Sequence, residues 1–424
     1  MKSVSRNAMS WLLRRSVARM LLRRVGARAL ALLPEAALVP LRRDGLEPVP
    51  ELDRIREEQP VTKLPVPFGI NLWLVTGHEE NKRVLADTAG FSNDYTHLGK
   101  IVGVEDQTPG GLGFADPPDH TRLRKLLTPE FTMRRLSRLA PRIDAIVTDC
   151  LDQMAASPDP VDLVQTFALP IPSLTICELL GVPYAEREAF QRLAVARFDL
   201  FGGAGASLGA ISESLAYLEG VVQAQRANPG DGLIGMIIRE HGDEIDDREL
   251  AGLADGVLTG GFETTASMLA LGALILLQDQ ETSALIRDDD KAVGPFVEEL
   301  LRYLTVVQVA FPRFARHDMD LAGTPIAAGD LVVCSLSAAN RDNTLGEDIR
   351  TFNPHRKPTP HLAFGHGAHR CIGAELAKME LRAAYPALVR RFPHLRLHNP
   401  TEPLAFRQTS IVYGVDTIKV TTTP

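Results

Sequence analysis

Residues 364–373 read Phe-Gly-His-Gly-Ala-His-Arg-Cys-Ile-Gly, a glycine-rich loop that carries Cys371 to the start of a helical pattern over about 372–391. A helix N-terminus stabilises negative charge, so the position suits a thiolate. Gly367 and Gly373 let backbone approach something flat and bulky. Free amides in so small a loop can donate to the sulfur, which tunes a metal-bound thiolate.

Three readings of Cys371 stay open from these residues alone. It is a small buried hydrophobe, a zinc ligand together with His366 and His369, or an axial haem ligand whose electron push favours O–O cleavage. The zinc reading lacks a fourth ligand or an acid partner in this segment. The other cysteines, Cys150, Cys177 and Cys334, are widely scattered. That excludes a disulfide scaffold and suits reduced thiols in a cytoplasm. With 45% hydrophobic and 23% charged residues among 424, the composition is that of a globular chain with a large core. The net charge of −7 argues against nucleic-acid binding.

The charge is uneven. Lys2, Arg6, Arg14, Arg15, Arg19, Arg23, Arg24 and Arg28 all precede the first acid, Glu35. This Arg-rich amphipathic stretch is too charged for a span, which needs about 20 apolar residues. It reads as a solvated helix on a basic extension, residues 1–45, with at most peripheral membrane contact. Residues 46–424 read as one mainly α domain with small β-sheets. Strands are expected at Val61–Leu64 and Leu72–Val75, and helices at 77–88, 119–131, 135–156, 161–181, 184–200, 208–227, 231–240 and 292–304. A pattern over Asp247–Gln278, apolar most of the way round, belongs in the protein centre. The stretches 95–116 and 341–364 show no period, and long loops of this kind are often functional.

Three more constellations carry chemistry. Glu299 and Arg302 sit three apart among Phe296, Val297, Leu300, Leu301, Tyr303 and Leu304, so the pair is buried and needs a further partner, for which Arg356 is the candidate. Within the long helix, Gly260-Gly261-Phe262-Glu263-Thr264-Thr265 places two glycines, each costing roughly 1 kcal/mol, beside an acid and a hydroxyl. This reads as a close helix crossing or as a local widening where a ligand sits and protons are relayed. Lastly, Pro117 and Pro118 open a helix on which His120 and Arg124 face one way and suit a carboxylate-bearing ligand.

Together and in this order, these motifs resemble the cytochrome P-450 superfamily, bacterial soluble type, over about residues 50–424. The haem-loop pattern is matched by Phe364, Gly367, Cys371 and Gly373, the Glu-x-x-Arg motif by Glu299 and Arg302, and the central acid and alcohol by Glu263 and Thr264. One departure is Phe262, where many relatives carry His.

The resemblance implies the P-450 fold and a haem b cofactor, with Cys371 as iron ligand and Phe364, Gly365 and Gly373 in the cofactor loop. It implies that His120, Arg124, Arg313 and His369 bind the propionates, and that Glu263 and Thr264 guide protons to dioxygen. The activity implied is monooxygenation, in the cytoplasm and as a monomer, fed by a ferredoxin or flavodoxin with its reductase. Arg122, Lys125, Arg134, Arg135, Arg370 and Lys378 are candidates for the donor-docking patch.

A hydrophobic small molecule is the expected substrate, walled by 95–116, 195–210, 258–265, 306–310 and 410–412. Fatty-acid hydroxylation near the chain end is one expectation. A terpenoid, steroid or polyketide is the other, and a peroxide-driven peroxygenase is an alternative mechanism. A zinc hydrolase and a non-catalytic haem sensor are the readings from other classes.

Overall fold

The computed structural model describes residues 33–66, 70–94, 112–182 and 204–423, with side chains omitted for 204–213. The basic stretch, the helix expected at 184–200 and most of the loop 95–116 lie outside the described residues. Helices of two turns or more are α1 (Pro50–Glu58), α2 (His78–Ala86), α3 (Asp119–Leu127), α4 (Ala140–Ala156), α5 (Pro170–Leu180), α6 (Ala204–Ala227), α7 (Leu233–His241), α8 (Asp247–Gln278), α9 (Gln280–Asp288), α10 (Asp290–Leu304) and α11 (Ala374–Arg391). Residues of α4, α5, α8, α10 and α11 supply most of the main hydrophobic core.

The central helix α8 shows why length and apolarity alone do not make a membrane span. Its most apolar 18-residue window has a mean hydropathy of 1.5, yet 78% of that window is buried inside the fold. Asp246 caps the helix by accepting the Glu249 amide, and neighbouring helices cover most of it.

Five strands form the main sheet, ordered β1 (Val61–Leu64), β2 (Leu72–Val75), β6 (Leu331–Cys334), β5 (Arg313–Ala315) and β3 (Phe91–Ser92). Only the β2 and β6 pair is parallel, with Leu72 opposite Leu331 and Val75 opposite Cys334. Val61, Val75, Val332 and Cys334 bury one side of it against Val84 and Leu85 of α2. This packing sets α2 and β5 beside the cysteine loop.

Several expected elements change. The helix expected over 161–181 opens instead as strand β4 (Val161–Asp162), paired with β7 (Lys419–Thr421). The Asp162 carboxylate accepts the Val164 amide at 3.0 Å and the Thr417 hydroxyl at 2.7 Å, which favours a turn over a helical start. Wide π-type turns follow over Val164–Ala168 before α5. Helix α9 has no counterpart in the sequence reading, and α10 begins at Asp290 rather than 292. Two aspartates cause this: Asp279 caps α9 through the Glu281 and Thr282 amides, and Asp289 caps α10 through the Lys291 amide. The strand Leu331–Cys334 stops there because Ser335 caps one short helical turn, Leu336–Ala339.

The buried ionic group is complete. Arg302 donates to both Glu299 oxygens at 2.8 Å, and Arg356 Nε donates to Glu299 Oε1 at 3.0 Å. Arg302 also donates to the carbonyls of Asn340, Ile349 and Thr351. A buried pair so fully satisfied costs most when one member is removed. Glu299→Gln is expected to lower unfolding free energy by about 3–5 kcal/mol, measured by urea denaturation. A loss under about 1 kcal/mol, the range of a solvent-exposed pair, would show that the group is dispensable.

Candidate functional site

The cysteine loop is built by three backbone bonds. Gly365 N donates to Leu362 O at 2.8 Å, Cys371 N to Phe364 O at 2.8 Å, and Arg370 N to Gly367 O at 3.0 Å. Gly365 and Gly367 take φ of +67° and +71°, the left-handed region that glycine tolerates. A Cβ at Gly367 would stand 2.5 Å from Leu85 O, so this glycine serves close packing on the end of α2. Gly373 differs: a Cβ there would meet only Phe131 at 3.8 Å and Cys371 Sγ at 4.0 Å, ordinary contacts. The expectation that both glycines admit a flat group is thus amended, since Gly367 is needed against the protein's own backbone. Phe364 is half-buried and packs on the main core, with Lys378 Nζ 5.6 Å from its ring centre.

The four cysteines are free, and they are not equivalent. Burial pushes Cys150, Cys177 and Cys334 up to about 12. Cys371 alone is exposed, but it faces a cleft ringed by protein atoms. Those surroundings raise its thiol pKa, while the Gly373 amide and the charges of Arg370 and Arg124 lower it. Among the described residues no group of three His, Cys, Asp or Glu side chains could hold a metal ion, so the zinc reading with His366 and His369 fails.

Basic groups converge beside the loop. The His120 and His369 rings lie 4.0 Å apart, and the Nε2 atoms of both are buried without a hydrogen-bond partner. Arg124 Nη2 reaches Arg370 O at 2.8 Å, and the buried Arg313 donates to Phe311 O at 2.8 Å. Burial lowers the pKa of all four, and neighbouring positive charge adds to it for His120, His369 and Arg124; His369 falls to about 3. The one nearby carboxylate, Asp116, is already engaged by Ser92 Oγ, the Asn93 amide and Arg316. A cluster of buried donors short of acceptors fits a ligand with anionic carboxylates. These donors, the thiol and the cleft fit a haem with its two propionates.

Helix α8 presents two adjacent stripes. Gly256 and Gly260 are exposed and Thr264 half-exposed on an otherwise buried element, and no atom lies within 4 Å of a Cβ built at Gly260. Thr264 Oγ1 donates back to Gly260 O at 2.7 Å. Gly261, by contrast, is packed on Ile176 of α5, where a Cβ would approach to 2.5 Å. Gly261 thus serves a close helix crossing, while Gly260 leaves open space beside the helix. The second stripe is polar: Asp255, Thr259, Glu263 and Ser267, each four residues apart. Phe262 is buried in the core.

Two of the expected walls meet, since Gln308 N donates to Ile411 O at 2.9 Å and Gln308 Nε2 to Ser410 O at 2.8 Å. Phe311 is 49% exposed and packs against Phe114 with ring centres 4.7 Å apart. The expected donor-docking patch is smaller than its six residues. Arg122 is ion-paired with Glu249, Arg135 with Glu130 and Glu240, and Lys378 with Glu298 and Glu375. Lys125, Arg134 and Arg370 stay exposed. The sequence reading missed Asp116 as the clamp of the loop before α3, and Arg407, which binds Glu263 from 144 residues away. Neither carries a local motif.

Gly367→Ala combines a left-handed φ with contact on Leu85 O. It is expected to cost more than the roughly 1–2 kcal/mol of the φ penalty alone and to loosen the loop. Thermal unfolding checks this, with Gly373→Ala, which has room, as the near-neutral comparison.

The cytochrome P450 family model matches residues 219–421. Cytochrome P450 FAS1 of Rhodococcoides fascians is 40% identical over 389 residues, covering 90% of this chain and 97% of the relative. Vitamin D3 dihydroxylase of Streptomyces griseolus is 38% identical over 85% of this chain and 90% of its own. The crystal structure of CYP105P1 in complex with filipin I superposes with a TM-score of 0.85 at 42% identity, covering 91% of this chain and 98% of that one. The chain belongs to the cytochrome P450 family, the haem-iron monooxygenases.

Proposed function

We propose that this chain is an oxygen-dependent haem b monooxygenase that hydroxylates a hydrophobic small molecule, with Cys371 Sγ holding the iron. The observation that carries this reading is the cluster of His120 and Arg313, both buried, with the partly exposed Arg124 and His369, beside the exposed thiol of Cys371. These four side chains would hold the propionates, and residues 364–373 would cradle the thiolate edge, with the Gly373 amide donating to the sulfur. When bound, the haem activates dioxygen with two electrons and supplies the oxygen atom inserted into substrate.

The chain's own part is binding, orientation and proton supply. Thr264 Oγ1 donates its proton to Gly260 O, which leaves its lone pairs to accept a bond from a group bound beside the helix. Glu263 is pushed up to about 7 by burial, so both of its protonation states are populated near neutral pH. Such an acid suits proton transfer at the working pH. The presence of this acid and alcohol favours dioxygen over peroxide as the oxidant.

The electrons come from a separate ferredoxin or flavodoxin with its reductase, in the cytoplasm. Lys125, Arg134 and Arg370, exposed around the cysteine side, suit an acidic donor. For the substrate, a relative named for vitamin D3 and a neighbour solved with filipin I favour a large, rigid molecule of steroid or polyketide type over a fatty acid. The paired Phe114 and Phe311 rings offer such a molecule an apolar wall.

The carbon monoxide difference spectrum of the reduced protein tests the ligand. A strongly red-shifted Soret band is expected, lost in Cys371→Ala; a histidine-type band in undamaged protein would sink the assignment. Spin-state titration with vitamin D3, filipin I and dodecanoic acid then ranks the substrate classes, and a response to dodecanoic acid alone would reverse the preference. Thr264→Ala is expected to keep the carbon monoxide spectrum while product formed per electron falls by about tenfold or more, at the low end of what a placed proton donor contributes. Unchanged coupling would remove Thr264 from the proton path.

A further inference from the structure

The acid on α8 is held by a residue from the far end of the chain. Arg407 lies at the base of a C-terminal hairpin closed by the bridge between Phe406 and Val415 and by Arg407 N donating to Gly414 O at 2.9 Å. Its Nη1 donates to Glu263 Oε1 at 2.6 Å, and its Nε donates to Asp416 Oδ1 at 2.7 Å. Side-chain exposure rises along this line, from 5% at Glu263 through 23% at Arg407 to 62% at Asp416. The three groups run from the core to water.

The same hairpin rests on α8 one turn further along, where a Cβ at Gly414 would come within 2.8 Å of Ser267 Oγ. Its outer residues, Ser410 and Ile411, are bonded to Gln308 in the expected substrate wall. Glu263 Oε2, buried, has no hydrogen-bond partner. One oxygen is therefore anchored and the other left open.

We propose that Arg407 is a positioning residue for Glu263: it pins Oε1 to the hairpin, leaves Oε2 as the oxygen that exchanges a proton, and links the acid to solvent through Asp416. The inference rests on the reading of Glu263 as the proton-carrying acid. Its physical content is a pair of opposite signs. Burial disfavours the Glu263 carboxylate, Arg407 favours it by charge and hydrogen bond, and Asp416 disfavours it by like charge.

The groups facing α8 from its other neighbours do not reproduce this. Among the described residues, α6 brings Ser214, bonded to Asp255 at 2.6 Å, and α11 brings Glu380, whose burial raises its pKa well above the ordinary carboxyl range. Among the described residues no second cation is ion-paired with Glu263. Loss of Arg407 therefore raises the pH at which Glu263 ionises, and loss of Asp416 lowers it. A merely structural brace would move neither.

The test uses ferric, haem-loaded protein and four variants, R407Q, R407K, D416N and E263Q. Infrared difference spectra taken between about pH 5 and about pH 9, spanning the ordinary carboxyl and imidazole range, isolate the Glu263 carboxyl band as wild type minus E263Q. R407Q is expected to raise its midpoint by about one unit or more, the usual effect of removing an adjacent opposite charge. R407K is expected to restore most of that shift, and D416N, which changes only an exposed side chain, to move the midpoint the other way. A midpoint unmoved by both R407Q and D416N, or no titrating Glu263 band in this range, overturns the inference.

Oxygen consumption against pH, driven by spinach ferredoxin and its reductase, separates the two layers. If E263Q leaves that profile unchanged while R407Q still moves the carboxyl band, the proton role of Glu263 fails and the positioning stands. If E263Q alters the profile but R407Q moves neither band nor profile, the reading of Glu263 survives and that of Arg407 falls.

Discussion

The Arg302 guanidinium is the fixed point from which the rest of the site is hung. It is 1% exposed, clasps Glu299 with two parallel bonds, and spends its remaining donors on three carbonyls of the segment 340–351. One of these belongs to Asn340, whose own side chain donates to Thr305 Oγ1 at 2.8 Å and accepts the Leu362 amide at 2.6 Å. Leu362 O in turn accepts Gly365 N, and the next carbonyl, that of Phe364, accepts Cys371 N. An unbroken run of hydrogen bonds thus leads from the end of α10 to the cysteine. Residues 352–366 contain no helix or strand, so burial and side-chain bonds must do what regular structure does elsewhere. A buried ion pair is weak evidence for stability in itself. Here its value is geometric, because it fixes a long irregular segment in one conformation.

The site combines two expensive arrangements. Four basic side chains, two of them buried and two partly so, are gathered with little acidic compensation, and each is pulled below its ordinary pKa as a result. A cluster like this destabilises the fold unless an anion completes it, so binding energy and folding energy are linked at this point. Helix α8 in turn exposes Gly256 and Gly260 and buries a carboxylic acid. Neither choice helps a helix. Both become intelligible together, since the small residues open room beside the helix and the polar stripe next to them carries the charge.

What could be read in the sequence was whatever is local. The loop 364–373, the Glu-x-x-Arg spacing and the 32-residue apolar helix each declare themselves within one stretch of chain, and α8 begins and ends where its pattern does. Legibility failed where a single side chain outvoted the pattern. Asp162 turned a helical start into a strand, Asp279 started a helix, α9, where none was expected, and Asp289 moved the start of α10. It failed again where partners are distant in sequence. Nothing near Glu263 announces Arg407, and nothing near Cys371 announces that Asp116 is neutralised by Arg316. Six basic residues that read as one patch lost three members to intramolecular acids, because charge counted along a chain says nothing about which charges meet.

That limit bears on the acid itself. A glutamate in an apolar helix reads the same from sequence whether it is ionised, protonated or paired. Its chemistry is set by the hairpin base that reaches it, a segment whose own sequence, Phe406-Arg407-Gln408-Thr409, carries no sign of a role. Thr409 takes φ of +58°, a conformation that side chains other than glycine and asparagine rarely adopt, just where this hairpin turns toward the substrate wall. The hairpin therefore touches both Gln308, in the expected substrate wall, and the acid at Glu263. On the proposed reading, a substrate at that wall and a proton on the acid act on one short piece of backbone, from Arg407 to Ser410, away from the cysteine loop.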